Sequence, residues 1–158
     1  MKDKIIILNS KDKKEIRKQL ESQFGISKLP DKVFFSINKK ERVYIINREA
    51  FDVDQIALRV NSFGLYFGTY MKDGFRLNIE GSQLVGPQAT KNVLKLSVEE
   101  RNFWLKGFDL EKELPETESE YVLLKHEGDF LGSGKIKNNK ILNYVSKSRT
   151  LKKVFPEE

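Results

Sequence analysis

Residues 93–108 read Val93-Leu94-Lys95-Leu96-Ser97-Val98-Glu99-Glu100-Arg101-Asn102-Phe103-Trp104-Leu105-Lys106-Gly107-Phe108. The first four residues predict a short strand. Ser97 and Glu100 have the spacing of a capping box, in which each side chain takes the other residue's backbone N–H. The helix started there is short, because Gly107 stops it after Phe103, Trp104 and Leu105. Three or four short strands are expected next, at about Phe108–Leu110, Glu120–Glu127, Phe130–Ile136 and Lys140–Tyr144. Asn138-Asn139 makes the last connection a tight hairpin, since Asn tolerates positive φ. One short helix among strands joined by tight turns predicts a small barrel and not a parallel sheet.

The chain before this block has a different character. Ile5 to Leu8 reads as a strand, and Ser10 can cap a helix from about Lys11 to Phe24. In that helix Ile16, Leu20 and Phe24 form an apolar stripe and Gly25 marks the stop. The Lys and Glu residues between them read as a solvated face. Val33–Ile37 and Arg42–Ile46 predict a hairpin, and 48–58 predicts a helix. Lys72-Asp73-Gly74 joins two alternating segments, Phe63–Met71 and Phe75–Glu80, as a second hairpin. In its second arm Phe75, Leu77 and Ile79 should face one way. Glycine, proline and small polar residues from Gly81 to Lys91 mark the best candidate for a domain boundary. The fold class is therefore α+β, with a small α/β domain over residues 1–88 and a β-rich domain over 89–158.

At 158 residues with 39% apolar content the chain can bury a real core. It has no cysteine, which excludes disulfides and thiolate metal sites and fits a reducing cytoplasm. The apolar run at its start is too short for a signal-peptide core or a membrane span, so no membrane partner is expected. The single histidine, His126, ends an apolar strand and reads as structural or solvated. No phosphate loop of the Lys-Ser/Thr type and no His-Glu-x-x-His occurs. Gly132-Ser133-Gly134 reads as a strand that another backbone approaches closely, not as a dinucleotide fingerprint. The acidic run Asp109 to Glu120 reads as an exposed connecting loop. No enzyme activity, cofactor or metal is predicted.

Charge is segregated along the chain. From Lys135 to Lys153 it carries Lys135, Lys137, Lys140, Lys147, Arg149, Lys152 and Lys153 with no acidic residue. The overall charge of +6 understates such a face, which is suited to a phosphate backbone.

Two resemblances follow from these residues. Trp104-Leu105-Lys106-Gly107-Phe108-Asp109-Leu110, Tyr121-Val122-Leu123-Leu124 and Phe130-Leu131-Gly132-Ser133-Gly134-Lys135 resemble a PUA domain, an RNA-binding pseudobarrel. The ending Asn143-Tyr144-Val145-Ser146-Lys147-Ser148-Arg149 is similar to the close of the PUA-like domain in Sun-family rRNA cytosine-5 methyltransferases. Leu142 stands there in place of the usual lysine and Ser146 in place of the usual proline. In the first half, Arg42–Ile46, Phe63–Tyr70, Phe75–Ile79 and Val85-Gly86-Pro87 resemble the pre-PUA domain of archaeal and eukaryotic large-subunit ribosome biogenesis factors. Together the resemblances imply a pre-PUA-like α/β domain followed by a PUA-like β-pseudobarrel. They also imply binding of rRNA during maturation of the large subunit.

The leading expectation is thus a non-catalytic RNA-binding protein. Lys147, Arg149, Lys152 and Lys153 would neutralise phosphates, and Lys135 and Lys140 would extend the track. Lys106 and Gly107 would let RNA backbone approach closely. Tyr144 reads as a core or rim residue of the barrel before it reads as a stacking platform. The alternative is an adaptor that meets ribosome-assembly or RNA-processing proteins through Arg42, Arg48, Arg59 and Arg76 of the first domain.

Overall fold

The structure, a computed structural model, describes residues 4–50, 64–114 and 120–144. The first half runs β1 (Ile5–Ile7), α1 (Ser10–Phe24), β2 (Val33–Ile37), β3 (Lys39–Ile46), a 3-10 turn (Arg48–Ala50), β4 (Leu65–Met71) and β5 (Gly74–Leu77). It continues through α2 (Ile79–Val85) and a second 3-10 turn (Gly86–Gln88). Then come β6 (Val93–Lys95), α3 (Val98–Leu105), β7 (Leu110–Glu111), β8 (Tyr121–His126), β9 (Asp129–Lys137) and β10 (Lys140–Leu142). Two five-stranded sheets result, in the orders β1-β2-β3-β4-β5 and β6-β8-β9-β10-β7. The first is antiparallel throughout. In the second, β6 runs parallel to β8 across the α3 crossover, and the other neighbours are antiparallel. The molecule is a mixed α/β protein, and the parallel β6–β8 pair is a departure from the all-antiparallel pattern that its turns suggest.

Local chemistry explains most elements. All three expected hairpins form, with Asn38 at φ 64° in the first connection and Asn138 and Asn139 at 53° and 62° in the last. The box at the start of α3 is closed: Ser97 Oγ accepts from Glu100 N at 3.1 Å, and Ser97 N donates to Glu100 Oε1 at 2.9 Å. Gly25 ends α1 in the left-handed region at φ 74°. The cap of α1 is Asn9 and not Ser10, because Asn9 and Asp12 form their own capping box. Of the helix expected at 48–58, Arg48–Ala50 is a 3-10 turn and the rest lies outside the described residues.

The chain departs from expectation at the end of β5. The strand stops at Leu77 instead of Glu80, and α2 and a 3-10 turn occupy the stretch expected to hold the boundary. Asn78 causes the change. Its backbone N–H donates to Phe67 O of β4 at 3.0 Å, while its Nδ2 donates to Tyr66 O at 3.3 Å and Glu80 Oε2 at 2.7 Å. Pinned this way, the chain turns into a helix laid directly on β4. Gly81 is there because any Cβ would collide with the Phe67 carbonyl. Small residues that read as a loop are contact residues of a helix.

The core explains why Tyr121-Val122-Leu123-Leu124 is apolar without alternation. Every one of these residues is buried. Tyr121 and Leu123 join a cluster with Ile16, Phe24, Phe67 and Phe75 of the first half. Val122 and Leu124 join a second cluster with Trp104, Leu110, Leu131 and Ile141. Successive strand side chains point to opposite faces, so β8 serves two cores at once. Removing one such side chain to Ala costs about 2–5 kcal/mol. Polar contacts stitch the same seam. Gly132 N donates to Ser82 Oγ at 2.8 Å and Ser133 Oγ donates to Leu77 O at 3.1 Å, while within the first half Gln23 brackets Phe75 with two 2.8 Å bonds.

Candidate nucleic-acid interface

The turn after α3 is built from the chain's own caps. Lys106 N–H donates to the Asn102 and Phe103 carbonyls at 3.2 Å each. Gly107 takes φ 95° and donates to Trp104 O at 3.0 Å, and Phe108 N closes back on Phe103 O at 3.2 Å. A lysine here complements the negative end of the helix. Neighbouring helix positions differ by about 100°, so Phe103 and Trp104 project in different directions from α3. Trp104 is fully buried and donates its indole N–H to Leu131 O at 2.8 Å. Phe103 is therefore turned out, 56% exposed, with Phe108 beside it at 54%. Their rings lie 5.2 Å apart at 43°.

The sequence reading does not single out this pair, although the adjacent aromatics 103 and 104 on one helix are its signal. It flanks Lys106 and Gly107, and exposed aromatic faces beside a cation are what unpaired bases stack on. Around it lie Glu99, Glu100, Asp109 and Glu111. Three of these carboxylates have fixed partners: Glu100 meets Lys112 at 3.0 Å, Glu111 meets Lys140 at 3.2 Å, and Asp109 accepts from Asn143 N at 2.8 Å. Burial opposes ionisation of Glu100, but the Ser97 N–H and Lys112 overcome it and hold the carboxyl below its ordinary range.

Asn143 also donates its side-chain amide to Trp104 O at 2.7 Å and Phe108 O at 3.1 Å. The end of β10 is thereby tied to the Lys106–Gly107 turn. Tyr144 is half-buried at the rim: Arg76 donates to its carbonyl at 3.0 Å and lies 4.9 Å from its ring centroid. Lys147, Arg149, Lys152 and Lys153 lie outside the described residues.

The structure gives Lys135 different company from that expected of a phosphate contact. It forms an ion pair with Asp73 of the β4–β5 turn and sits 3.9 Å from Glu120. Tyr121 donates its hydroxyl to the same Asp73 at 2.7 Å. Burial works against the Asp73 charge, yet hydrogen bonds from Glu120, Lys135 and Tyr121 hold its carboxyl well below the usual range. Its bond to Asp73 raises Lys135 above the usual amine range, and burial first, then Asp73, raises the Tyr121 hydroxyl. Lys140 stands directly across from Glu111 on β7, with which it pairs, and half of its side chain is exposed.

The remaining singled-out residues are equally specific. His126 is buried, with Nδ1 2.9 Å from Leu96 O, a structural position. Of the adaptor arginines, Arg48 binds Asp31 at 3.0 Å, Arg42 lies over the Tyr66 ring at 5.9 Å, and Arg59 lies outside the described residues. Among the described residues no group of three or more His, Cys, Asp or Glu could hold a metal ion. No helix among them is long and apolar enough to cross a membrane.

Residues 91–151 match the family model described as the methyltransferase RsmF PUA domain, so the second half of the chain contains a PUA-like domain. Two curated relatives are ribosomal RNA small subunit methyltransferases F, from Vibrio campbellii and Vibrio parahaemolyticus. Each is 28% identical over 139 residues. The alignment covers 85% of this chain and therefore takes in much of its first half as well. The chain spans 28% of the length of these relatives.

Proposed function

We propose that this chain is a non-catalytic rRNA-binding module that grips single-stranded or unpaired RNA through its PUA-like half. The match of residues 91–151 to a PUA family model carries the reading. The exposed Phe103–Phe108 pair beside Lys106 supports it by supplying a stacking surface and a cation at one turn. In mechanism, Phe103 and Phe108 take unpaired bases, Gly107 lets the backbone come close, and Lys106, Lys147, Arg149, Lys152 and Lys153 neutralise phosphates. Lys140 contributes from the rim. Lys135 contributes least, because Asp73 already occupies it. We assign residues 1–88 to a pre-PUA-like unit and 89–158 to a PUA-like pseudobarrel, the two sharing one core.

The relatives, small subunit rRNA methyltransferases by name, point to small-subunit RNA. Resemblance of the first half to large-subunit biogenesis factors points to the other subunit. Titrating labelled fragments of both rRNAs against the protein at several salt concentrations separates the two. The same titration tests the site. Changing Phe103 and Phe108 to Ala should weaken binding by about 1–3 kcal/mol per stacked base. Replacing Lys147, Arg149, Lys152 and Lys153 with Gln should flatten the log–log salt slope by roughly two to three units. Equal binding by wild type and both variants would remove the PUA-like half as the RNA site.

A further inference from the structure

We propose a second phosphate-binding site for the same RNA, in the groove between the first half of α1 and the loop at 27–31. It rests on the RNA-binding reading and makes that binding bipartite. Ser10, Lys13, Lys14 and Arg17 recur at spacings of three and four and so share one face of α1. Across the groove stand Ser27 and Lys28. Four cations and two hydroxyls thus converge on one concavity, and among the described residues none of the four cations forms an ion pair.

The acids near this groove have other engagements. Asp31 also lines the groove, and its Oδ1 accepts two bonds from Arg48 at 3.0 and 3.1 Å, which offsets its charge. Asp12 faces Lys40 at 3.2 Å, and Glu15 accepts from Gln19 at 3.4 Å on the far side of the helix. Glu21 lies one turn beyond Arg17 and does not line the groove. Lys13 and Arg17, four apart, repel each other along the helix, a tension that a bound anion relieves.

The opposite wall is prebuilt. Ile26 is fully buried. Gln88 clamps Lys28 from both sides, accepting from its N–H at 3.0 Å and donating to its carbonyl at 2.9 Å. Gly25 packs against Thr90 so closely that a Cβ would collide. The backbone of the loop carrying Lys28 and of the helix carrying Lys13, Lys14 and Arg17 is fixed before binding, so a phosphate backbone has only the cationic side chains to order. Nothing in it reads bases, so it positions RNA without selecting sequence.

The test is an anisotropy titration of the full chain with a labelled single-stranded oligouridylate at several salt concentrations. A variant with Lys13→Gln, Lys14→Gln, Arg17→Gln and Lys28→Gln is compared with wild type and with the Phe103→Ala, Phe108→Ala protein. The groove variant should lose about three units of salt slope, and single Lys14→Gln or Lys28→Gln variants about 0.7 each. These exposed single positions keep the test open if the fourfold variant melts early. An unchanged slope in the groove variants, with weakened binding by the aromatic variant, overturns the groove and leaves the PUA-like site standing. Failure of wild type to bind overturns both. Displacement of the RNA by polyglutamate from wild type but not from the groove variant would assign the groove to an acidic protein segment instead.

Discussion

Asp73 occupies a turn predicted for its geometry alone, yet it joins the two halves by accepting from Tyr121 and pairing with Lys135. Nothing local in Lys72-Asp73-Gly74 indicates this, since Tyr121 and Lys135 are far along the chain. Its depressed carboxyl favours folding above the ordinary carboxylate range, and that contribution is lost as pH falls. Glu120, raised by its bond to Asp73, works in the opposite sense. At high pH two tyrosines matter. Burial, reinforced by Asp12 and Glu15, pushes Tyr70 up to about 12, and burial and Asp73 raise Tyr121. An unfolded tyrosine ionises near pH 10. Stability from these hydroxyls is therefore full below about pH 10 and is lost as pH rises toward 12. Urea midpoints measured below and above this range should fall steeply for wild type and less for a Tyr70→Phe, Tyr121→Phe protein. An equal fall in both would mean that lysines, not these tyrosines, govern alkaline unfolding.

Elements with local causes were legible. The capping box of α3, the stop at Gly25 and the Asn138-Asn139 hairpin each depend on side chains within four residues of the backbone they satisfy. α2 was not legible, because its cause is contact with β4 and β9. Gly81 and Ser82 look like linker residues until Phe67 and Gly132 are placed against them. The consequence is measurable. Gly81→Ala drives a methyl into the Phe67 carbonyl and should destabilise the protein by about 1–3 kcal/mol, despite improving helix propensity. Leu84→Ala, at an exposed position of the same helix, should cost far less. Denaturant midpoints compare the two, and a neutral Gly81→Ala would show that α2 can lift away from the sheet.

For the whole molecule, the decisive fact is that β8 feeds two cores. A cut between residues 88 and 89 would strip Tyr121, Leu123 and Phe130 from the cluster that also holds Phe24 and Phe67. The protein should consequently unfold as one unit. Fluorescence of Trp104, the chain's only tryptophan, reports the second cluster, and far-UV circular dichroism reports both sheets. The two urea transitions should coincide. Separate midpoints would show that 1–88 and 89–158 are independent domains.

By itself the sequence determined the mixed helix and strand content, the capping box that opens α3, the stop of α1 at Gly25, the lack of thiol chemistry and the basic character of the final stretch. These follow from side-chain types and short spacings that act through the adjacent backbone. Only tertiary structure decided that Phe103 faces out while Trp104 faces in, that Lys135 answers Asp73, and that Lys13, Lys14, Arg17 and Lys28 meet across one groove. Each depends on surfaces far apart in the chain being pressed together by a shared apolar core, and a linear pattern carries no record of such contacts.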